Sequence, residues 1–340
     1  MRIAIVSDAW EPQVNGVVRT LQAVRAELEH MGHQIIVIAP DRFASLPCPT
    51  YPEIRLAMAG AGTVGRAIED AAPDALHIST EGPLGLAARR WCLRHGLPFT
   101  TAYHTQFPEY IAARTGVPSE WTWRWMRWFH GPASAVLVST ETVRRSLRAH
   151  GIAQVRHWGR GVDLDCFRPD VPPSPLFDGL PRPIQLFVGR VAVEKNIEAF
   201  LETRHPGTRV IVGDGPARGA LARRYPDAVF VGALSGEALA AAYSGADVFV
   251  FPSRTDTFGL VMIEAAACGV PVAAYPVVGP IDVLDPSISC LDEDLEAAIG
   301  GALARDRQAC ADYGRRFSWE ASARQFFDAL VALEPVRRAA

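Results

Sequence analysis

Short apolar runs alternate with amphipathic helical stretches along nearly the whole chain, and this alternation limits the fold more than any other feature. Ile3–Val6 is apolar throughout and ends in Ser7-Asp8. Asn15-Gly16 then opens a segment with Val17, Leu21, Val24, Leu28 and Met31 at helical spacing, and Gly32 closes it. Ile35–Ala39, Ala75–Ile78, Pro98–Tyr103 and Ala135–Ser139 read as further strands, each followed by a helical stretch. Strands apolar on both faces need cover on both faces, which a parallel sheet between helix layers provides. The expected class is therefore α/β, doubly wound and Rossmann-like.

The pattern breaks once, in the proline-rich stretch RPDVPPSPLFDGLPRP at 168–183. Proline fixes φ and removes a donor, so this reads as a linker. Strands restart at Ile184–Val188 and recur at Arg209–Val212, Ala228–Val231, Val248–Phe251 and Val272–Tyr275. Two Rossmann-like domains in series follow: 1–168, a linker at 169–183, and 184–316. A last helix at 317–340 is free to pack back on the first domain. A chain of 340 residues is long enough for two cores. Ligands in such folds sit at the carboxyl ends of strands, so two domains facing each other would form a cleft.

Charge and cysteine content exclude more than they suggest. The net charge of -3 gives no basis for binding nucleic acid. Six scattered cysteines show no zinc-type spacing, and the first residues read as a strand rather than a secretory leader. A cytoplasmic protein is expected, with any membrane attachment peripheral. Arginine has almost displaced lysine: Lys195 is the one lysine in the chain.

That lysine stands in a chemically suggestive place. Gly189 ends a strand and lets backbone approach a ligand, while Arg190 and Lys195 put two cations on the following loop, suited to a diphosphate. Gly213-Asp214-Gly215-Pro216 ends the next strand; turn chemistry alone accounts for it, and Gly215 is nonetheless a candidate donor-binding residue. Phe258-Gly259-Leu260 opens a helix whose free N–H groups can hold phosphate. Asp256 precedes that helix and Glu264 lies within it among apolar residues, where a carboxylate needs partners such as sugar hydroxyls. The Asn15-Gly16 turn offers a further helix start, either an anion site or an ordinary turn. Asp163-Leu164-Asp165 and Asp292-Glu293-Asp294 match a metal-binding DxD pattern, but one nears the linker and the other begins a helix; no metal or other cofactor is expected. WTWRWMRWFH at 121–130 sets Trp121, Trp125 and Trp128 on one helical stripe beside Arg124 and Arg127. Such a stripe has two readings, a core-facing surface or a helix lying in a membrane interface.

These segments together resemble glycosyltransferase family 4, retaining transferases of the GT-B fold. The resemblance rests on PQVNGVVRT, EGPLG at 81–85, YHTQFPEY at 103–110, GRGVD at 159–163, GRVAVEKN at 189–196, GDGP at 213–216 and SRTDTFGLVMIEA at 253–265. It is strongest toward bacterial lipid mannosyl-, glucosyl- and glucuronosyl-transferases and sulfolipid synthases. It implies an acceptor role for the first domain and a donor role for the second. It places Gly16 beside the donor phosphates and His104 on the donor sugar. Arg190 and Lys195 would face the diphosphate, Gly259 and Leu260 the β-phosphate, Glu264 the ribose, and Asp256 the transferred sugar. Many relatives carry Glu at the last position, so Asp256-x7-Glu264 is a departure that bears on donor choice.

The implied reaction moves a hexose or hexuronic acid from a GDP- or UDP-linked donor to a lipid or saccharide acceptor, at or near an anionic membrane surface. A nucleotide-sugar 2-epimerase of the same architecture and a non-catalytic sugar-nucleotide or lipid-binding protein are the competing readings.

Overall fold

The computed structural model describes residues 1–13, 15–48, 55–104 and 118–333. The chain forms two compact units: residues 1–159 together with 319–340, and residues 160–318. The division falls at Gly159/Arg160 rather than at 168. The proline-rich stretch is a packed strap on the second unit: Phe177 is buried, Ser174 N–H donates to Ala241 O at 3.0 Å, and Ser244 Oγ donates to Val171 O at 2.5 Å.

The first unit carries β1 (Arg2–Val6), β2 (Gln34–Ile38), the hairpin strands β3 (Ser45–Pro47) and β4 (Arg55–Ala57), then β5 (Ala75–Ile78), β6 (Thr100–Ala102), β7 (Ala135–Val138) and β8 (Val155–His157). Six of these form one parallel sheet in the order β2-β1-β5-β6-β7-β8. The second unit carries β9 (Ile184–Val188), β10 (Thr208–Val212), β11 (Val229–Gly232), β12 (Val248–Phe251), β13 (Val272–Ala274) and β14 (Ser289–Leu291), in the order β11-β10-β9-β12-β13-β14. Both sheets are all-parallel. Their strand order reverses direction between β1 and β5, and between β9 and β12, which are the switch points where such sheets open a crevice.

Burial explains the continuous apolar runs: every residue of β5, β7, β9 and β12 is buried. The short strands β8 and β14 and the β3–β4 hairpin carry no such run, and sequence pattern does not reveal them. The final helix, Trp319–Ala329, belongs to the first unit, where it packs on helix Gly16–His30. Its Phe326 is fully buried against Trp158 (ring centroids 5.1 Å) and His77 (4.8 Å).

Candidate functional site

In the second unit, the chain leaves β9 through Gly189 and Arg190 and makes a 3-10 turn at Val193–Lys195. Asn196 then adopts a left-handed conformation (φ 52°) and starts helix Ile197–Leu201. Its side chain donates to Pro252 O at 3.1 Å, tying this loop to the one after β12. Across that tie Lys195 Nζ meets Asp256 Oδ1 at 2.6 Å, with both side chains about a quarter exposed (24% each). The second oxygen of Asp256 is buried with no hydrogen-bond partner among the described residues. The chain's one lysine and the departing carboxylate, expected to face phosphate and sugar respectively, thus grip each other at the β9/β12 switch point.

The loop after β12 runs directly into helix Leu260–Ala267. Gly259 precedes it at φ 80°, and a Cβ there would lie 2.9 Å from Met262 Cε and 3.1 Å from Phe251 Cζ. The N-cap here is a glycine with no side chain of its own to cap the helix, which suits the first N–H groups to holding an anion. Phe258 is buried and anchors the turn, edge-on to Phe317. Glu264 is 3% exposed, and Tyr243 Oη donates to its Oε2 at 3.1 Å. Its carboxylate therefore draws one partner from within the fold rather than relying on a ligand alone.

The glycines after β10 answer to packing. A Cβ on Gly213 would sit 1.8 Å from Gly189 O, and one on Gly215 2.4 Å from Val191 O. The two loops interlock through Val191 N–H to Asp214 O (2.9 Å) and Ala217 N–H to Val191 O (3.0 Å). At Gly215, expected to touch the donor, the β9 loop crosses so closely that a side chain would not fit.

In the first unit, Asn15 Oδ1 accepts from Val17 and Val18 N–H at 3.0 Å each. This helix start, read either as an anion site or as an ordinary turn, is thus capped by Asn15 itself, with Gly16 exposed beside it. His104, just past β6, is half-buried, with Nε2 at 3.2 Å from Ser79 Oγ and its ring edge-on to Trp158. Residues 105–110 of YHTQFPEY lie outside the described residues.

Several groups here escape a reading of the sequence. Asp8 is 8% exposed and accepts from Leu84 N–H (2.8 Å), Gly85 N–H (3.3 Å) and Thr80 Oγ1 (2.8 Å), capping helix Pro83–His95. Burial raises its pKa above the usual carboxylate value, against these hydrogen bonds. The glycines of EGPLG serve this cap: a Cβ on Gly82 would meet Asp8 Cγ at 2.5 Å, and one on Gly85 would meet Thr80 O at 1.9 Å. Glu81, beside them, faces His130. Arg160 is buried, which lowers its pKa to about 9 and still leaves it a cation at neutral pH. No local sequence pattern marks any of these as buried polar groups; strand-end acids look alike until the fold is known.

The tryptophan helix, Ser119–His130, turns Trp123, Met126, Phe129 and His130 into the core. Trp121 is 74% and Trp128 52% exposed, with Trp125 half-buried and Arg124 exposed. The core reading of the Trp121–Trp125–Trp128 stripe is therefore overturned, because a different face of the same helix is the buried one. Arg127 pairs with Glu120 at 2.5 Å, and the buried Arg89 lies 3.9 Å from the Trp128 ring while donating to Phe129 O at 2.9 Å. No helix among the described residues is long and apolar enough to cross a membrane.

The two DxD matches serve their own backbone. Asp163 Oδ1 accepts from Asp165 and Cys166 N–H, and Asp294 caps helix Leu295–Leu303 through Glu296 N–H.

Comparison with known proteins matches this arrangement. Residues 14–166 fit the model of "Glycosyltransferase Family 4", and residues 182–305 fit that of "Glycosyl transferases group 1". A GDP-mannose-dependent alpha-mannosyltransferase of Mycolicibacterium smegmatis is 36% identical over 84% of this chain and 82% of its own length. An alpha-monoglucosyldiacylglycerol synthase of Streptococcus pneumoniae is 27% identical over 81% of this chain and 71% of its own. Among solved structures, a sucrose-phosphate synthase of Thermosynechococcus elongatus superposes with a TM-score of 0.77 at 25% identity, covering 96% of this chain and 97% of that one. With two parallel Rossmann-like units, a fold shared with GT-B enzymes and this level of identity across both, the chain belongs to glycosyltransferase family 4 and is a glycosyltransferase.

Proposed function

We propose that this transferase moves a hexose or hexuronic acid from a GDP- or UDP-linked sugar to a hydroxyl of a membrane lipid such as diacylglycerol, with retention and without a metal ion. The observation that carries the donor half is the Lys195–Asp256 pair beside the glycine-led helix start at Gly259-Leu260. Breaking a sugar–phosphate bond builds negative charge on the leaving diphosphate and positive charge on the sugar ring. Lys195, Arg190 and the Leu260 end of the helix answer the first, as fixed cations and dipoles do without reorganising. Asp256, with an unsatisfied oxygen next to Lys195, suits hydroxyls of the sugar. Glu264, held by Tyr243, suits the ribose, because a carboxylate accepts hydrogen bonds at both oxygens. Retention means attack on the face the diphosphate leaves, with the leaving oxygen taking the acceptor proton. The GDP-mannose in the name of the mycolicibacterial relative and the diacylglycerol in that of the streptococcal one support the donor and acceptor classes.

The test is turnover by the purified full chain offered GDP-mannose, UDP-glucose and UDP-glucuronic acid with and without diacylglycerol micelles, in the presence of EDTA. Transfer that needs acceptor and survives the chelator is expected. Loss of turnover on chelation, restored by Mg²⁺ or Mn²⁺, would overturn metal independence; epimerised donor without acceptor would overturn transfer as the main activity.

The exposed Trp121 and Trp128, with Arg124 between them, suit contact with a bilayer surface near the acceptor, and attachment there would be peripheral, on the cytoplasmic face. Each basic residue near an anionic surface contributes on the order of 1 kcal/mol. Binding to anionic liposomes at low salt and release at high salt is expected. Trp121→Ser with Arg124→Ser should weaken that binding with little change in thermal midpoint, since both side chains are exposed. Liposome binding that ignores the double substitution would assign the contact elsewhere.

A further inference from the structure

Glu81 stands at the carboxyl end of β5, at the β1/β5 switch point, one residue before the N-cap of helix Pro83–His95. A carboxylate in that position would ordinarily cap the helix. Here Asp8 has taken the Leu84 and Gly85 N–H groups, so Glu81 is left over from that task. Its side chain is only 11% exposed, and Oε1 lies 3.3 Å from His130 Nε2. The contact lacks the alignment of a hydrogen bond. His130 is fully buried, and its other nitrogen is 2.9 Å from Thr101 Oγ1, which fixes the ring. A buried carboxylate facing a buried imidazole is costly as mere scaffolding, since apolar residues fill such space at least as well. It is suited to receiving a hydroxyl, because a carboxylate accepts hydrogen bonds at both oxygens. Asp8 lies close enough for the Glu81 charge to help raise its pKa, so this corner holds two acids. The nearest buried cation on the same helix, Arg89, is committed to the Phe129 and Trp128 carbonyls.

We infer that Glu81, steadied by His130, is a positioning residue for the acceptor hydroxyl, and that the acceptor received there is neutral rather than phosphorylated. The inference rests on the transferase reading above. It separates this chain from its structural relative, whose name places a phosphate on the product. An acid pair repels a phosphate group and tolerates a glycerol or sugar hydroxyl.

The experiment uses the full chain with the active donor, diacylglycerol micelles and octyl β-glucoside as neutral acceptors, and fructose 6-phosphate as the phosphorylated one. Wild-type protein should transfer to a neutral acceptor and not to fructose 6-phosphate. Glu81→Gln should raise the neutral acceptor's KM by about 10-fold or more, the usual scale for losing a hydrogen bond to a charged group. Glu81→Asp, which keeps the charge but withdraws it by one carbon, should fall between. Affinity for the nucleoside diphosphate, measured by calorimetry, should be unchanged in both, because that site belongs to the second unit. An unchanged acceptor KM, a wild-type preference for fructose 6-phosphate, or a parallel loss of nucleotide affinity and thermal midpoint in both variants would overturn the assignment. Protein that binds the nucleotide yet transfers to neither class of acceptor would instead overturn the transferase reading, and this assignment with it.

Discussion

Lys195→Ala is expected to lower kcat by roughly 10²-fold, the scale seen when one fixed charge is removed from a developing anion. The geometry sharpens the expectation. Lys195 meets Asp256 at 2.6 Å, and the other Asp256 oxygen is already buried without a partner. Removing the lysine withdraws a cation from the diphosphate and leaves a carboxylate uncompensated where negative charge must grow. Lys195→Arg should recover only part of the rate, because a planar fork cannot replace a compact ammonium in the same contact. Asp256→Asn alone keeps the lysine and should cost less than Lys195→Ala. In the double variant the two losses should not add, since each removes part of the same contact. Steady-state kinetics on proteins with matched thermal midpoints checks this. A folded Lys195→Ala protein with near-normal kcat would show that the pair only ties two loops together.

Phe326→Ala should destabilise the first unit by about 3–5 kcal/mol, the cost of emptying a well-packed aromatic site. Phe326 is fully buried between Trp158 and His77, so a cavity would open beneath the sheet. His77 makes collapse into that cavity unattractive: burial pushes its pKa down to about 3, so it is neutral, and its Nε2 has no hydrogen-bond partner among the described residues. The helix also fixes the end of the first unit, with Gln325 Oε1 accepting from Gly159 N–H at 2.7 Å and Ser322 Oγ donating to Gly159 O at 2.8 Å. Two units need not unfold together, so a single midpoint is a poor readout. Amide hydrogen exchange resolved by segment is the better one. Protection should fall in β1, β5 and helix Gly16–His30 while β9 and β12 keep theirs. Equal loss in both units would mean that they unfold as one.

Much of the fold is written in local pattern. The runs IAIV, ALHI, IQLFV and VFVF can be satisfied only by burial on both faces, and each is a central strand. Strands without such runs, such as SCL in β14 or VRH in β8, are decided by the neighbour they pair with. The tryptophan stripe shows the limit in another way. WTWRWMRWFH is apolar on more than one side, so period alone cannot choose the buried face; packing chose Trp123, Met126 and Phe129.

The candidate site divides along the same line. Sequence by itself determined which residue types stand at which strand ends: Gly189, Arg190 and Lys195 after β9, and Asp256, Gly259 and Glu264 after β12. Those are properties of short segments, where spacing along the chain fixes position on a loop or helix turn. Only the tertiary structure decided which of those groups meet. Lys195 and Asp256 are 61 positions apart, Asp8 and Leu84 76 apart, and Glu81 and His130 49 apart by their numbers. Each pair is brought together by parallel crossover connections, which set distant loops side by side at one edge of a sheet. The energy of such a meeting depends on burial and alignment, and neither exists until the sheet has formed.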